Sequence, residues 1–212
     1  MSRVRWGILS TADVGMSKVT PAIQRAENCE VVAIASRDRA RAAAAAAELG
    51  IPAAYGSYED LLAANDIDAV YIPLPNDMHA EWVVKAASAG KHVLCEKPLA
   101  MSVAQATEMA RVCRDAGVKL QEAFMYRHHP QWVEAVRLLR AGRIGDLIAV
   151  QSWFSFYNDD PMNIRNRSEN GGGAIMDIGC YNINVARMLF GAEPVRIESV
   201  IRRDTGMGID IV

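Results

Sequence analysis

Residues 4–15 read VRWGILSTADVG, and this stretch decides the fold of the first half of the chain. Its apolar start, Val4–Leu9, predicts a buried strand, and the amphipathic run Val14–Ala26 predicts the helix that follows. In dinucleotide-binding folds the loop between such elements holds the pyrophosphate. Glycines are expected at positions 10 and 12 of that loop, but Ser10 and Ala12 stand there. The loop alone therefore leaves a cofactor site and an ordinary strand-to-helix turn equally open.

The same alternation of strand and helix continues as far as residue 122. The further predicted strands are Val31–Ala35, Ala69–Leu74, His92–Cys95 and Lys119–Glu122, and the predicted helices are Arg39–Leu49, His79–Ala89 and Val103–Ala116. Strands that alternate with helices predict a parallel sheet covered on both faces, which is an α/β fold. After residue 122 the pattern changes to two predicted helices, Gln131–Arg140 and one ending at Phe190, and two predicted strands, Ile148–Tyr157 and Val195–Arg202. We therefore predict one domain over 1–122 and the first part of a second, truncated domain over 123–212.

The composition of the chain indicates which kinds of molecule it can bind. The chain has 212 residues, of which 51% are hydrophobic, and a net charge of -2. No block of like charge predicts binding to nucleic acid or to a membrane surface, and the four cysteines have neither disulfide nor zinc spacing. No apolar run is long enough for a membrane span or a signal peptide. We expect a soluble, cytoplasmic protein without a metal, whose partner is a small molecule.

The end of the second predicted strand indicates which dinucleotide is bound. A carboxylate at this position binds the adenine ribose of NAD. Ala35-Ser36-Arg37 offers a hydroxyl and a guanidinium instead, which suit the 2′-phosphate of NADP. We interpret Asp38 as the N-cap of the next helix, and the alternative for Arg37 is a solvated surface arginine.

Two further segments follow predicted strands and so lie at the edge of the sheet where ligands bind. One is Tyr71–His79, which includes Pro73, Leu74, Pro75 and Asn76; the other is Glu96-Lys97-Pro98. Both are candidates for cofactor contact. The alternatives are that Asn76 or Asp77 caps a helix, that His79 is structural, and that Lys97 is a surface lysine.

A glycine-rich run, Gly171–Tyr181, carries the last candidate pair. Asp177 and Tyr181 are four residues apart, so a helix would place both side chains on one face. A carboxylate and a phenol would then face the same ligand. The alternative is a local hydrogen bond between them without any chemistry.

Together these motifs resemble the Gfo/Idh/MocA family of oxidoreductases, and the resemblance extends over the whole chain. It implies a Rossmann domain followed by an α/β domain built on a mostly antiparallel sheet, which is incomplete here. Tyr181, where most of the family has histidine, looks like the branch of glucose-fructose oxidoreductase, NADP xylose dehydrogenase and dihydrodiol dehydrogenase. In that branch Arg127 would lie near the nicotinamide. The predicted contacts of NADP, with NAD as a possible substitute, are Ser10, Thr11, Ala12, Val14, Ser36, Arg37, Pro73, Leu74, Pro75, Asn76, His79, Glu96, Lys97 and Arg127.

The resemblance implies hydride transfer between NADP and a sugar, at C1 of a xylose-like or glucose-like aldose. Oxidising the alcohol needs a base for the hydroxyl proton. We expect Tyr181 to be that base, because a neighbouring Lys97 ammonium would favour the phenolate, and we expect Asp177 to orient Tyr181 or a substrate hydroxyl. The alternatives are a trans-dihydrodiol or other diol dehydrogenase and a non-catalytic NADP-binding regulator. The resemblance also implies a homo-oligomer that forms through the second sheet.

Overall fold

A computed structural model describes residues 3–211. The chain divides into two compact units between Ala123 and Phe124. This division falls one residue from the predicted domain boundary at residue 122.

The first unit is built on a six-stranded parallel sheet in the order β3-β2-β1-β4-β5-β6. The strands are β1 (Val4–Leu9), β2 (Cys29–Ala35), β3 (Ala53–Tyr55), β4 (Ala69–Ile72), β5 (His92–Cys95) and β6 (Leu120–Glu122). The chain builds outwards from β1 on one side and then returns to add β4 on the other. Ligands of such sheets bind at this switch point, outside the carboxyl ends of β1 and β4. The predicted α/β fold is confirmed.

Five helices cover this sheet, and polar side chains cap the first turns of three of them. They are α1 (Thr20–Arg25), which continues a π-helical turn over Gly15–Val19, α2 (Arg39–Leu49), α3 (Tyr58–Ala63), α4 (His79–Ser88) and α5 (Val103–Asp115). Ser102 accepts a hydrogen bond from the Gln105 amide at the start of α5. Gly50 ends α2 with a φ of 65°, a left-handed conformation that glycine adopts without strain.

The core consists of two layers of apolar side chains, one on each face of the sheet. On one face Leu61, Trp82, Val83 and Met109 pack against the strands. On the other, the packed side chains include those of Ile8, Ile23, Ile34, Ala45 and Tyr71. A buried side chain of this size contributes about 1.5–3 kcal/mol. Both faces of the sheet are covered, as the alternating pattern predicted.

The second unit contains two α-helices and several single turns. The helices are α6 (Pro130–Arg140) and α7 (Cys180–Phe190), and α7 continues a π-helical turn over Ile175–Gly179. The predicted strands over 148–157 and 195–202 are wrong: among the described residues of this unit, only an antiparallel bridge between Arg203 and Asp210 pairs two extended segments. A strand needs a neighbour along its length for its backbone hydrogen bonds, and the only such bond to these two described segments is at their end, where the Arg202 carbonyl accepts from the Ile211 amide. The antiparallel sheet implied by the resemblance therefore has no counterpart within 124–211.

Among residues 3–211 the longest α-helix, α5, has 13 residues, and the continuous helix formed by the π-helical turn and α7 has 16. Crossing a bilayer takes about 20 mostly apolar residues in a helix. None of the helices formed by residues 3–211 combines the length and the apolar character that a membrane span requires.

Candidate functional site

The loop after β1 adopts a backbone conformation normally reserved for glycine. Ser10 has a φ of 126° and is 8% exposed. Its Oγ donates a hydrogen bond to the Pro73 carbonyl (3.1 Å) and accepts one from the Ala12 amide (3.1 Å). A side chain in this region costs of order 1–3 kcal/mol, which the two hydrogen bonds offset in part. Ser10 thus replaces the expected glycine without changing the path of the loop.

Gly15 lets the first helix start close to β4. A Cβ atom on Gly15 would lie 3.2 Å from Cγ of Pro73. The loop residues Thr11, Ala12 and Val14 are only partly buried, so their backbone remains accessible at the start of the helix. This arrangement fits a dinucleotide, whose phosphates bind to amides at a helix N-terminus.

The end of β2 fits the extra phosphate of NADP. The Asp38 carboxylate accepts hydrogen bonds from the amides of Ala40 (2.8 Å) and Arg41 (3.1 Å), so it caps α2, as predicted. Ser36 is buried and its Oγ accepts a hydrogen bond from the Asp38 amide (3.2 Å). Arg37 is exposed. Burial raises the pKa of Tyr58, and the guanidinium of Arg37 opposes that rise.

The loop after β4 contacts the buried side chain of His79, the first residue of α4. The His79 side chain is fully buried, with Nε2 at 2.8 Å from the Leu74 carbonyl oxygen and Nδ1 at 2.9 Å from that of Pro98. The predicted contact of His79 with the cofactor is therefore wrong, because neither ring nitrogen faces outwards. Pro73 and Leu74 are buried, whereas Pro75 and Asn76 are partly exposed.

The loop after β5 carries Lys97, which is partly buried. The preceding Glu96 is 8% exposed and accepts a hydrogen bond from the Tyr71 hydroxyl (2.7 Å). Its other oxygen accepts one from the Lys97 amide (3.2 Å). The Lys97–Pro98 peptide bond is cis. Glu96 thus holds this loop against the middle of the sheet.

In the second unit, Asp177 and Tyr181 lie on the continuous helix formed by the π-helical turn and α7. Asp177 is 13% exposed at its side chain and forms an ion pair with Nε of Arg165 (3.1 Å). The Tyr181 hydroxyl lies 3.8 Å from Sδ of Met125, and its ring meets that of Phe124 edge to face at 5.3 Å. The helical spacing predicted for this pair is confirmed, and Arg165 is a partner that the sequence did not predict.

The glycines before this helix allow a close approach of the chain near Asp210. Gly173 has a φ of 119°, and a Cβ atom there would collide with the Asp210 carboxylate. That carboxylate accepts a hydrogen bond from the Ile175 amide (2.6 Å). Gly173 therefore fixes where the helix bearing Asp177 begins.

Asn184 is a site residue that the sequence motifs did not reveal. Its Oδ1 accepts hydrogen bonds from the Tyr126 hydroxyl (2.5 Å) and from Nη1 of Arg127 (3.1 Å). Asn184 follows Tyr181 by three residues, so both lie on one face of α7. That spacing was the signal available in the sequence. Asn184 orients Arg127, which the resemblance implies in the site.

Aromatic side chains line a cleft of about 660 Å³ in the second unit. Flat rings pack well against the apolar faces of small ring-shaped ligands, and the amides among them offer hydrogen bonds. The lining residues are Tyr126, Trp132, Val150, Gln151, Ser152, Trp153, Phe154, Tyr181, Asn182, Val185 and Leu189.

Two family models match the chain. Residues 4–124 match the oxidoreductase family with an NAD-binding Rossmann fold, and residues 132–210 match the Gfo/Idh/MocA C-terminal domain. The predicted resemblance is thereby confirmed.

Among individual proteins, an uncharacterised oxidoreductase of Rhizobium meliloti is 50% identical over 99% of this chain and 63% of its own length. D-xylose 1-dehydrogenase (NADP(+)) 2 of Haloferax volcanii is 50% identical over 97% of this chain and 62% of its own length. A 3-ketoreductase of Actinomadura kijaniata, solved with NADP and TDP-benzene, has a TM-score of 0.91 and 36% identity, covering 99% of this chain and 64% of that one. The chain thus spans less than two thirds of the proteins to which it is similar.

Proposed function

The chain belongs to the Gfo/Idh/MocA family of oxidoreductases, and on that basis we propose that it transfers hydride between NADP and C1 of an aldose. Similarity to an NADP-dependent D-xylose dehydrogenase supports a pentose or a related sugar as the substrate. The aromatic cleft beside Tyr181 supports a small ring-shaped ligand.

One observation carries the choice of NADP over NAD. The single carboxylate near the end of β2, that of Asp38, is engaged by two amides of α2, which leaves Ser36 and Arg37 to meet the adenine ribose. A guanidinium binds a 2′-phosphate by two parallel hydrogen bonds, and a ribose hydroxyl offers no such partner. The 3-ketoreductase solved with NADP is consistent with this choice.

In the proposed reaction, bound NADP supplies the hydride acceptor or donor. The Tyr181 side chain, as the phenolate, removes the proton from the substrate hydroxyl, and as the phenol it returns that proton in the reducing direction. From the family resemblance we also propose Lys97 as the group whose ammonium would favour the ionised phenol, because an opposite charge stabilises the charged form. Asp177, held by Arg165, and Arg127, held by Asn184, position the substrate hydroxyls.

We also propose that subunits associate through the second unit. The segment over 148–157 leaves large apolar side chains in solvent, among them Ile148 (86% exposed) and Trp153 (84% exposed). Exposed apolar surface of this kind marks sites of association. Light scattering on the intact protein should report more than one subunit, and a monomer would contradict this proposal.

The test of the proposed reaction is a turnover screen on the intact protein, with NADP and NAD supplied separately. The panel contains xylose, glucose and trans-dihydrodiols. We expect reduction of NADP with an aldose. Turnover of a diol alone would favour a diol dehydrogenase, and NADP binding without any turnover would favour a regulatory protein.

A further inference from the structure

The His79 side chain lies between two loops that both carry candidate site residues. Nε2 faces the carbonyl oxygen of Leu74, which follows β4, and Nδ1 faces that of Pro98, which follows β5. The two distances, 2.8 and 2.9 Å, are within hydrogen-bond range, and because the neutral ring carries one N–H, it donates to one of the two carbonyls and packs against the other. The ring is completely buried, so water cannot take over either contact.

These contacts extend a chain of hydrogen bonds across the sheet edge. The Ser10 hydroxyl joins the loop after β1 to Pro73, and His79 joins the next residue, Leu74, to Pro98. Three consecutive ligand-facing loops of the sheet are therefore linked by two buried side chains. His79 alone contacts two loops through opposite ends of one rigid ring.

We propose that His79 is a positioning residue that sets the loop after β4, which binds the cofactor, relative to the loop after β5, which presents Lys97. The inference rests on the proposed function only for what the two loops do, because the link itself is a property of the fold. His79 acts through the backbone and touches neither the cofactor nor the substrate.

Each ring nitrogen of His79 contacts a different loop, so the positioning role predicts a different effect for each contact. Leu74 stands next to Pro75 and Asn76 in the predicted cofactor contacts, and Pro98 stands next to Lys97. If Nε2 carries the proton, losing its hydrogen bond should release the cofactor loop; if Nδ1 carries it, losing that hydrogen bond should release the lysine loop. A histidine that only filled space would give no such separation.

Two conservative substitutions separate the two contacts. The amide nitrogen of asparagine lies close to the position of Nδ1, so His79→Asn keeps a donor for Pro98 and loses the link to Leu74. The amide nitrogen of glutamine reaches the position of Nε2, so His79→Gln keeps a donor for Leu74 and loses the link to Pro98. Both variants retain a polar side chain that is no larger than the original.

The first measurement needs neither cofactor nor activity. Amide hydrogen exchange on the chain is followed for the Met78 amide, which bonds to the Pro75 carbonyl, and for the Leu99 amide, which bonds to Glu122. We expect one variant, the one that removes the donated hydrogen bond, to speed exchange in one loop: His79→Asn in the loop after β4, or His79→Gln in the loop after β5. Equal acceleration in both loops by either variant, or none with either variant, would overturn the proposal.

The second measurement uses the intact protein and asks for the matching functional split. The variant that speeds exchange should show the matching loss: about a tenfold higher Kd for NADPH if it is His79→Asn, or about a tenfold lower kcat if it is His79→Gln, as expected for about one lost hydrogen bond. In each case the other quantity, and both quantities in the other variant, should change less than about threefold. Parallel losses in both quantities that follow the melting temperature would show a purely structural role.

The matched control is His92→Gln. His92 is an exposed histidine at the start of β5, where its Nδ1 accepts a hydrogen bond from the Lys119 amide (3.0 Å). It should change neither the exchange pattern nor the Kd. If the wild-type protein fails to bind NADPH but the exchange pattern separates as expected, the proposed function fails and the role of His79 in linking the loops stands.

Discussion

Similar strand-like sequences form a paired strand in the first unit and an unpaired segment in the second. In the first unit Val4–Leu9 pairs with β2 on one side and β4 on the other, and its inner residues are buried. In the second unit the segment over 148–157 has an equally apolar and aromatic character but pairs with no strand among the described residues. An apolar, strand-like pattern therefore predicts a strand only where other segments are present to pair with it.

The units also differ in what they contribute. The first buries both faces of its sheet and offers a cofactor edge whose loops are tied by internal hydrogen bonds. The second offers the proposed acid–base group on a helix, with most of its large apolar side chains outside any core. We therefore expect stability and cofactor binding to depend mainly on the first unit, and the proton-transfer step on the second.

The largest expected effect is on catalysis. Tyr181→Phe in the intact protein should lower kcat by roughly 100-fold or more, because general acid–base catalysis contributes factors of about 10² to 10⁴. Affinity for NADP should stay within about twofold. Steady-state kinetics and a cofactor titration measure both.

The matched control is Tyr157→Phe, which removes an exposed hydroxyl bonded to Asp159 in the same unit. It should leave kcat unchanged. A Tyr181→Phe protein with near-normal turnover would end the claim that the second unit carries the proton-transfer step.

The next effect concerns stability. Leu61→Ala should cost about 3 kcal/mol of unfolding free energy, because Leu61 is fully buried in the core of the first unit. Val200→Ala, at a side chain of the second unit that is 94% exposed, should cost less than about 0.5 kcal/mol. Urea unfolding of both variants gives the comparison, and similar losses would mean that the second unit has a core of its own.

A smaller effect is expected at the cap of α2. Asp38→Ala should cost about 1 kcal/mol, and Asp38→Asn much less, because asparagine keeps the acceptor for the Ala40 and Arg41 amides. Neither change should favour NAD. If Asp38→Ala strongly weakened NADH binding, Asp38 would be a ribose ligand and not a cap.

The smallest effect is on pH dependence. Burial lowers the pKa of His79 from its ordinary value of 6.5, against the opposing influence of the Pro98 and Leu74 carbonyls and of the carboxylates of Glu96 and Asp77. The unfolded chain therefore takes up a proton more readily than the folded one. The stability linked to His79 should be complete above pH 6.5 and fall as the pH drops below it.

Urea unfolding of the wild type and of His79→Gln between pH 5 and 7.5 measures this contribution. The variant should show a flatter pH dependence over that range. An identical pH dependence in the two proteins would show that His79 does not titrate differently in the folded state.

The sequence predicts the first unit well because its signals are local. Asp38 and Gly50 bound α2 at the predicted residues, and Ser102 begins α5. β3 and α3 were not predicted from the sequence, because with three and six residues they are too short to show a periodic pattern. The strands predicted in the second unit are wrong because pairing depends on chain neighbours that a local pattern does not report.

The sequence predicted where the loops of the candidate site lie better than it predicted what each of their side chains does. The motifs identified the ligand-facing loops, but no sequence pattern predicts that Ser10 has a positive φ or that the His79 side chain points inwards. Asn184 was missed because its function lies in hydrogen bonds to Tyr126 and Arg127, which are remote in sequence. Such roles follow from tertiary contacts, and these are absent from local sequence patterns.

The central claim, an NADP site at the end of β2, is tested most directly by titrating NADPH and NADH against the wild type and Arg37→Ala. We predict that the wild type binds NADPH at least about tenfold more tightly than NADH, since one charge-assisted hydrogen-bonded contact supplies about 1.5–3 kcal/mol. Arg37→Ala should abolish that preference by weakening NADPH alone. The control Arg25→Ala, at an exposed arginine that ends α1, should leave it intact. Equal or tighter binding of NADH by the wild type would contradict the account.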